Sequence, residues 1–184
     1  MANKNITLGS GKLYAVKATK SGSTYTIPEG ATTEANLLGY IKGGAKLTYT
    51  SESYTAKDDL GLVSKTITTS ETATLTSGLM TWNYATLETL VATAREAAGS
   101  TEGSRKLLIG GIDNADNAPY VIIFRHEDKA DNRFVQVTIL GTSTGELEIA
   151  FASDSETVLD AEFTAQPGVD NEGTLIIYEE GTLA

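Results

Sequence analysis

Residues 64–76, SKTITTSETATLT, constrain the fold of this chain most strongly. From Ser64 onward every second residue carries a hydroxyl group, whereas the residues between them include Lys65, Ile67 and Leu75. Successive side chains of a β-strand point to opposite faces of a sheet. The stretch therefore predicts a long strand with one hydroxyl-bearing face.

The preceding segment alternates in the same way. Residues 45–55, AKLTYTSESYT, place Leu47 and Tyr49 on one side and polar residues on the other. A polar turn, AKDDLG, joins this segment to the hydroxyl-rich strand. We predict a single protruding β-hairpin over about residues 45–80, with its loop at residues 56–62. Its strands are unusually long, since a typical strand has about five or six residues.

β-strand signals dominate the rest of the chain as well. The short apolar segment 36–42 is expected to end at Gly43-Gly44. An apolar and an acidic face alternate on both sides of Asp154, which predicts a hairpin there. The remaining predicted strands, including both arms of that hairpin, are residues 12–18, 106–110, 120–126, 134–140, 146–152, 155–165 and 174–178.

One helix is predicted over about residues 84–98. Asn83 is a suitable N-cap, and Gly99 is expected to end the helix. Apolar residues recur on one helical face at i, i+3, i+4, i+7 and i+11. They are Leu87, Leu90, Val91, Ala94 and Ala98.

These elements predict a single domain, residues 1–184, that is mostly β: a sandwich or barrel with one flanking helix. Cysteine is absent, which excludes disulfides, thiolate catalysis and cysteine-based zinc sites. No apolar run approaches the ~20 residues of a membrane-spanning helix, and the N-terminus lacks the apolar core of a signal peptide. The expectation is folding in a cytoplasm, without membrane association.

The charge of the chain bears on its partners. It has 24 acidic against 14 basic residues, a formal net charge of −10. This balance disfavours tight binding to a phosphate backbone. It suits solubility, and it also suits a contact with DNA in which adhesion must be avoided.

Candidate chemical sites are few. His126 is the one histidine and follows no metal-ligand spacing, so we expect a loop histidine among solvated charges. Asp113 and Asp116 lack the calcium-loop order of oxygens and favour a turn. Glu146 and Glu148 fit a solvated stripe better than a glycosidase pair. We predict no enzyme, no catalytic residue, no cofactor and no metal.

The order of the elements resembles that of the tail tube (major tail) proteins of long-tailed bacteriophages. The resemblance is carried by the long Thr/Ser/Tyr hairpin, LTYTSESYTAKDDLGLVSKTITTSETATLTSGLMTWN, followed directly by the helix ATLETLVATAREA. It is completed by a strand at residues 162–167, an acidic turn at 170–173 and a last strand at 174–179. It is most specific over residues 44–98 and 162–180.

The resemblance implies a β-sandwich-like subunit that self-assembles into hexameric rings, which stack into a tube for DNA ejection. The hairpin loop would contact a neighbouring subunit or ring through Lys57, Asp58, Asp59 and Leu60. The N-terminal segment, residues 1–11, would add ring–ring contacts. Implied partners are further copies of the chain, a tape-measure protein and tail-end proteins, with assembly in the host cytoplasm and a final location in the virion tail.

A conduit must let DNA pass through without binding it. Carboxylates repel phosphates over roughly 8–10 Å at physiological salt, and neutral hydroxyls provide no cationic anchor. Strands that are apolar on one side and polar on the other can pack a core outward and present an inert wall inward. The candidate lumen-lining residues are Thr48, Thr50, Glu52, Thr66, Thr68, Ser70, Thr72, Thr74, Thr76, Glu156, Asp160 and Glu162. The sequence equally allows the acidic stripe of Glu156, Asp160 and Glu162 to face outside.

Other readings of the sequence stay open. The inner tube of a contractile tail, or of a phage-derived injection particle, would share these features. A threonine-rich binding module, either an adhesin or an ice-binding surface, is a less favoured alternative. Ice binding requires the Thr-x-Thr pair to repeat on several parallel strands at a fixed period, and the sequence is read as carrying it on one strand.

Overall fold

The computed structural model describes residues 11–151, 154 and 156–183. One α-helix, α1 (Tyr84–Leu90), and short 3-10 turns accompany the strands within these ranges. The strands are, in chain order, β1 (Lys12–Lys17), β2 (Thr19–Ser21), β3 (Thr24–Thr26), β4 (Leu37–Lys57), β5 (Ser64–Leu79), β6 (Arg95–Ala98), β7 (Arg105–Leu108), β8 (Tyr120–Asp128), β9 (Arg133–Ser143), β10 (Leu159–Ala165) and β11 (Ile177–Thr182). The prediction of a mostly-β fold with one helix is confirmed.

The main sheet has seven strands in the order β10-β5-β4-β1-β8-β9-β11, and every neighbouring pair is antiparallel. One further pairing joins β10, the first strand of this order, to β9, the last strand but one. That contact closes six of the strands into a barrel, with β11 alongside β9. Closure removes most of the exposed strand edges that invite aggregation.

The barrel interior holds the main apolar core. Phe163 and Leu75 lie opposite each other on β10 and β5, and both are fully buried. The helix joins this core through Leu90, while the hydroxyl of Thr86 donates a hydrogen bond of 2.7 Å to the backbone oxygen of Leu38. A smaller cluster covers the outside of β1, β8 and β9. It contains Tyr14, Ala31, Val121, Ile123 and Leu140.

Asn83 caps α1 as predicted. Its side-chain oxygen accepts hydrogen bonds from the backbone N–H groups of Ala85 (2.9 Å) and Thr86 (3.1 Å). The predicted C-terminus at residue 98 is wrong, because the chain turns extended at Val91 and residues 95–98 form β6, which pairs with β7. Cross-strand hydrogen bonds therefore replace the last turns of the predicted helix. Gly99 lies in the turn after β6, where a Cβ would clash with the Ser104 hydroxyl.

The long hairpin is confirmed, but β4 begins earlier than predicted. Gly43 and Gly44 do not end a strand; they form a two-residue bulge inside β4, between the pairs Lys42–Gly78 and Ala45–Ser77. Their φ angles of +81° and +83° suit glycine. Because two residues are inserted, the alternation of faces continues unchanged beyond the bulge.

The hairpin predicted around Asp154 is wrong. Residues 146–151 form no strand, and residues 152, 153 and 155 lie outside the described residues. Leu147 and Ile149 pack against the barrel core as irregular chain, and β10 takes β5 and β9 as its partners. The barrel therefore provides better partners for β10 than the preceding segment does.

The remaining strand predictions are recovered with shifted ends, as β1, β7, β8, β9 and β11. The last of these begins at Ile177 rather than at residue 174. His126 is not a loop histidine. It lies within β8 opposite Val135 and is buried.

Candidate assembly surface

The outer half of the β4–β5 hairpin extends beyond the barrel. The last pair between β5 and β10 is Thr74–Thr164, and β1 reaches only Tyr40 on β4. Residues 49–57 and 64–73, with the connecting loop 58–63, are named the arm here. Among the described residues no third strand pairs with the arm, and nearly all of its side chains are exposed on both faces.

The register of the two strands shifts once within the arm. Glu52 lies opposite Ser70. The next residue of β4, Ser53, lies opposite Thr68, which leaves Thr69 as an extra residue on β5. Neighbours along a strand point to opposite faces, and cross-strand partners share a face. The bulge at Thr69 therefore places Ser70 and Thr68 on opposite faces of the arm.

The predicted single hydroxyl face is thus divided into two. Thr66 and Thr68 lie on the face of the arm that continues from the barrel interior. On this face the hydroxyls of Thr55 and Thr66 are 2.8 Å apart. The same face carries the 2.7 Å hydrogen bond from the Tyr49 hydroxyl to the Glu71 carboxylate, and this bond raises the pKa of Tyr49. Thr66 and Thr68 therefore do not face outward, unlike the other predicted lumen-lining residues of β5.

The other face of the hairpin continues onto β10, where it points away from the barrel core. We call it the outer polar face. It is formed by Thr48, Thr50, Glu52, Ser70, Thr72, Thr74, Thr76, Asp160 and Glu162. Ser70 donates a 3.0 Å hydrogen bond to the carboxylate of Glu52. The structure therefore brings most of the predicted lumen residues onto one surface.

Threonines cross this surface from strand to strand. Thr48, Thr74, Thr164 and Thr142 are successive cross-strand partners on β4, β5, β10 and β9. The hydroxyl of Thr164 also lies 2.9 Å from that of Thr144. No single strand's sequence predicts this row, because only the pairing of β10 with β9 and β5 assembles it.

Charge on the outer polar face is mixed, because the register places Lys42 and Lys46 on the same face as Glu52, Asp160 and Glu162. Asp160 lies beside Gly78 and Glu162 beside Thr76. Glu156, the remaining predicted acidic residue, forms an ion pair with Lys42. Lys46 lies across from Thr76 and adds a positive charge at the base of the hairpin.

The loop of the arm has a defined turn. The Asp58 carboxylate accepts a 2.7 Å hydrogen bond from the Val63 N–H, and the Asp58 N–H donates to the Val63 carbonyl at 3.1 Å. Gly61 has a φ of +69° and donates to the Asp58 carbonyl at 3.0 Å. Local hydrogen bonds therefore hold the tip in one shape.

The tip presents aliphatic side chains to solvent. Leu60 and Leu62 are 80% and 79% exposed, and Val63 is also largely exposed. Lys57 ends β4, while Asp58 and Asp59 share the loop with Leu60. The sequence reading identified Leu60 but missed Leu62 and Val63. Their signal was the apolar pattern of DDLGLV inside a predicted polar loop.

Features of other functional classes are limited. Within the described part of the chain, no group of three or more His, Cys, Asp or Glu side chains is arranged to hold a metal ion. No helix among these residues is long and apolar enough to span a membrane. A scan against protein-family models gives no match, and neither does a search of curated proteins.

Proposed function

We propose that this protein is a self-assembling structural subunit whose copies form stacked rings, a tube of the bacteriophage tail type through which DNA passes. The arm is the observation that carries the proposal. It is a two-stranded ribbon, exposed on both faces, that ends in exposed aliphatic side chains. A chain that functions alone has no evident use for such an element.

The energetics of the arm favour a partner. An isolated two-stranded hairpin is at best marginally stable in water, and it needs further strands or a packing surface. Tyr49, Tyr54 and Ile67 add exposed apolar area along the ribbon. Unpaired strand edges also favour pairing with another chain. Packing against neighbouring copies would cover the apolar groups and the edges together.

The outer polar face supports a channel wall. Its short hydroxyl groups are neutral, and the carboxylates of Glu52, Asp160 and Glu162 offset the charges of Lys42 and Lys46 on the same side. Carboxylates repel a DNA backbone over roughly a Debye length, about 8 Å at physiological salt. The net charge of −10 acts in the same direction. A wall of this composition would let DNA slide past.

Hexameric rings, tape-measure and tail-end partners, and a location in the virion tail are part of this proposal through the resemblance of the sequence. The inner tube of a contractile tail or of a phage-derived injection particle uses the same assembly principle. A sheath gene beside the gene for this chain would favour the contractile form, and its absence would favour the flexible tail.

Concentration-dependent assembly tests the proposal. Light scattering of the purified protein is expected to rise above a critical concentration, and negative-stain microscopy is expected to show rings or tubes with a central channel. A protein that remained monomeric, both alone and with the tail-tip complex of its phage as a nucleus, would overturn the proposal.

The wall assignment gives a second prediction. Thr50→Lys with Thr72→Lys places two cations on paired positions of the outer polar face. Assembled tubes of this variant are expected to retain short duplex DNA with affinity at least about tenfold above wild type, with a steep salt dependence. Fluorescence anisotropy measures the retention. Ser53→Lys with Thr68→Lys, paired positions on the opposite face of the same two strands, is the matched control and should retain much less DNA; equal retention by both would contradict the assignment.

The row of threonines supports a second candidate, a water-ordering surface. Thr-x-Thr pairs occur at Thr48/Thr50 on β4, at Thr72/Thr74 on β5 and at Thr142/Thr144 from β9 onward. An ice-binding module of this kind would depress the freezing point without depressing the melting point. The tube proposal predicts no such thermal hysteresis, so its detection in the monomer would favour the alternative.

A further inference from the structure

A second exposed surface lies on the ribbon formed by β6 and β7. Arg95 pairs with Leu108 and Ala97 pairs with Lys106, so these four side chains share one face. Both cations are exposed, and neither forms an ion pair with another described residue. The Arg95 guanidinium donates a 3.0 Å hydrogen bond to the Gly110 carbonyl, which holds it at the end of the ribbon.

The opposite face of the ribbon is partly covered within the chain. Arg105 lies there, with its guanidinium 4.6 Å from the centre of the Tyr84 ring on α1. Glu96 shares that face and pairs with Arg105 at 3.6 Å. The cations on the face with Arg95 and Lys106 form no ion pair among the described residues, so this face is the more available to an acidic partner.

Exposed aliphatic side chains continue from the ribbon into the next segment. Leu108 and Ile109 are partly exposed, and Ile112 is 91% exposed. Gly110 and Gly111, both at positive φ, turn the chain between Ile109 and Ile112. Asp113 is the nearest acidic residue that follows. We call the ribbon face that carries the two cations the basic ribbon face and define it by Arg95, Lys106 and Leu108.

The tip of the arm has the complementary character. Its loop combines Leu60, Leu62 and Val63 with the acidic residues Asp58 and Asp59. The loop offers aliphatic side chains and two carboxylates between the strand-end residues Lys57 and Lys65, whereas the ribbon face offers Leu108 and two cations. Apolar anchors with complementary charges around them are the usual composition of a specific interface.

We propose that the arm tip of one copy docks on the basic ribbon face of a second copy, with Asp59 directed toward Lys106. This inference rests on the proposed self-assembly and identifies the surface that receives the arm. The two surfaces belong to different parts of the chain, so the contact is heterologous. Such contacts propagate into rings or open filaments instead of ending at a dimer.

The absence of cysteine makes a direct crosslinking test possible. Leu60→Cys and Leu108→Cys are made as separate variants, mixed under assembly conditions and oxidised. A disulfide-linked dimer containing one chain of each variant is expected in high yield. Mixing Leu60→Cys with Lys129→Cys, which carries its thiol in the exposed β8–β9 turn, is the control and should give little product.

Charge reversal tests the polar part of the contact. Asp59→Lys and Lys106→Glu are each expected to raise the critical concentration for assembly about fivefold, since each replaces an attractive pair with a repulsive one. The double variant should return to within about twofold of wild type, because the pair is restored with opposite sign.

The outcomes separate the two proposals. If the wild type assembles but the Leu60→Cys and Leu108→Cys variants fail to crosslink, or crosslink no better than the control, the docking site is overturned and self-assembly is left intact. Additive losses in the double charge variant would also overturn it. Protein that never assembles and never crosslinks would overturn both.

Discussion

Replacement of Leu60 and Leu62 with aspartate is expected to abolish assembly while the barrel stays folded. Both side chains are about four-fifths exposed in the single chain, so the substitutions remove no core contact. In an assembly they would bury two carboxylates in an apolar contact, at a cost of several kcal/mol per unpaired charge. The critical concentration should rise at least about a hundredfold, beyond the practical range.

Sedimentation velocity and circular dichroism together measure this result. Phe151→Asp is the matched control, because Phe151 is 81% exposed but lies outside the arm. It should assemble as wild type does. Normal tubes from the Leu60/Leu62 variant would show that the tip is not an assembly contact.

The largest effect on stability is expected at Phe163. This side chain is fully buried, and β10 places it between Leu75 on β5 and Ser143 on β9, where the barrel closes. Phe163→Ala removes a large apolar side chain and leaves a cavity where the two sheet ends meet. The expected loss is about 3–5 kcal/mol of unfolding free energy.

Phe163→Ala is introduced into the monomeric Leu60→Asp/Leu62→Asp variant, and urea denaturation then measures the loss without interference from assembly. Phe151→Ala is the control, and as an exposed substitution it should change stability by less than about 0.5 kcal/mol. A loss below about 1 kcal/mol for Phe163→Ala would contradict the closed barrel, since a merely surface-packed β10 would tolerate the change.

Local patterns predicted most of the strands because each pattern fits one element. The alternation of residues 64–76 identified β5, and its distance from the matching segment 45–55 identified the hairpin. Asn83 identified the start of α1 because a cap acts on the adjacent turn, through hydrogen bonds to Ala85 and Thr86. Signals that act within a few residues are visible in the sequence.

The wrong predictions concern pairing between distant segments. Residues 95–98 satisfy a helical pattern as well as a strand, and pairing with β7 decides between the two. The bulge at Thr69 follows from the register of β5 against β4, which alternation in a single strand does not reveal. For that reason the sequence assigned Thr66 and Thr68 to the same face as Thr72.

The candidate surfaces were predicted only in part, for the same reason. The hydroxyl residues of the outer polar face were identified because alternation selects them, and Asp160 and Glu162 were included by the same rule. The row from Thr48 to Thr142 and the basic ribbon face were missed. Both depend on strand pairs that join separate parts of the chain.

Electron cryo-microscopy of the assembled protein tests the central claim most directly. We expect a tube whose channel is lined by the outer polar face, with Thr50 and Thr72 toward the axis and each arm packed on a neighbouring copy. A tube lined instead by the opposite face of the arm, or an assembly whose arms project freely into solvent, would contradict this account.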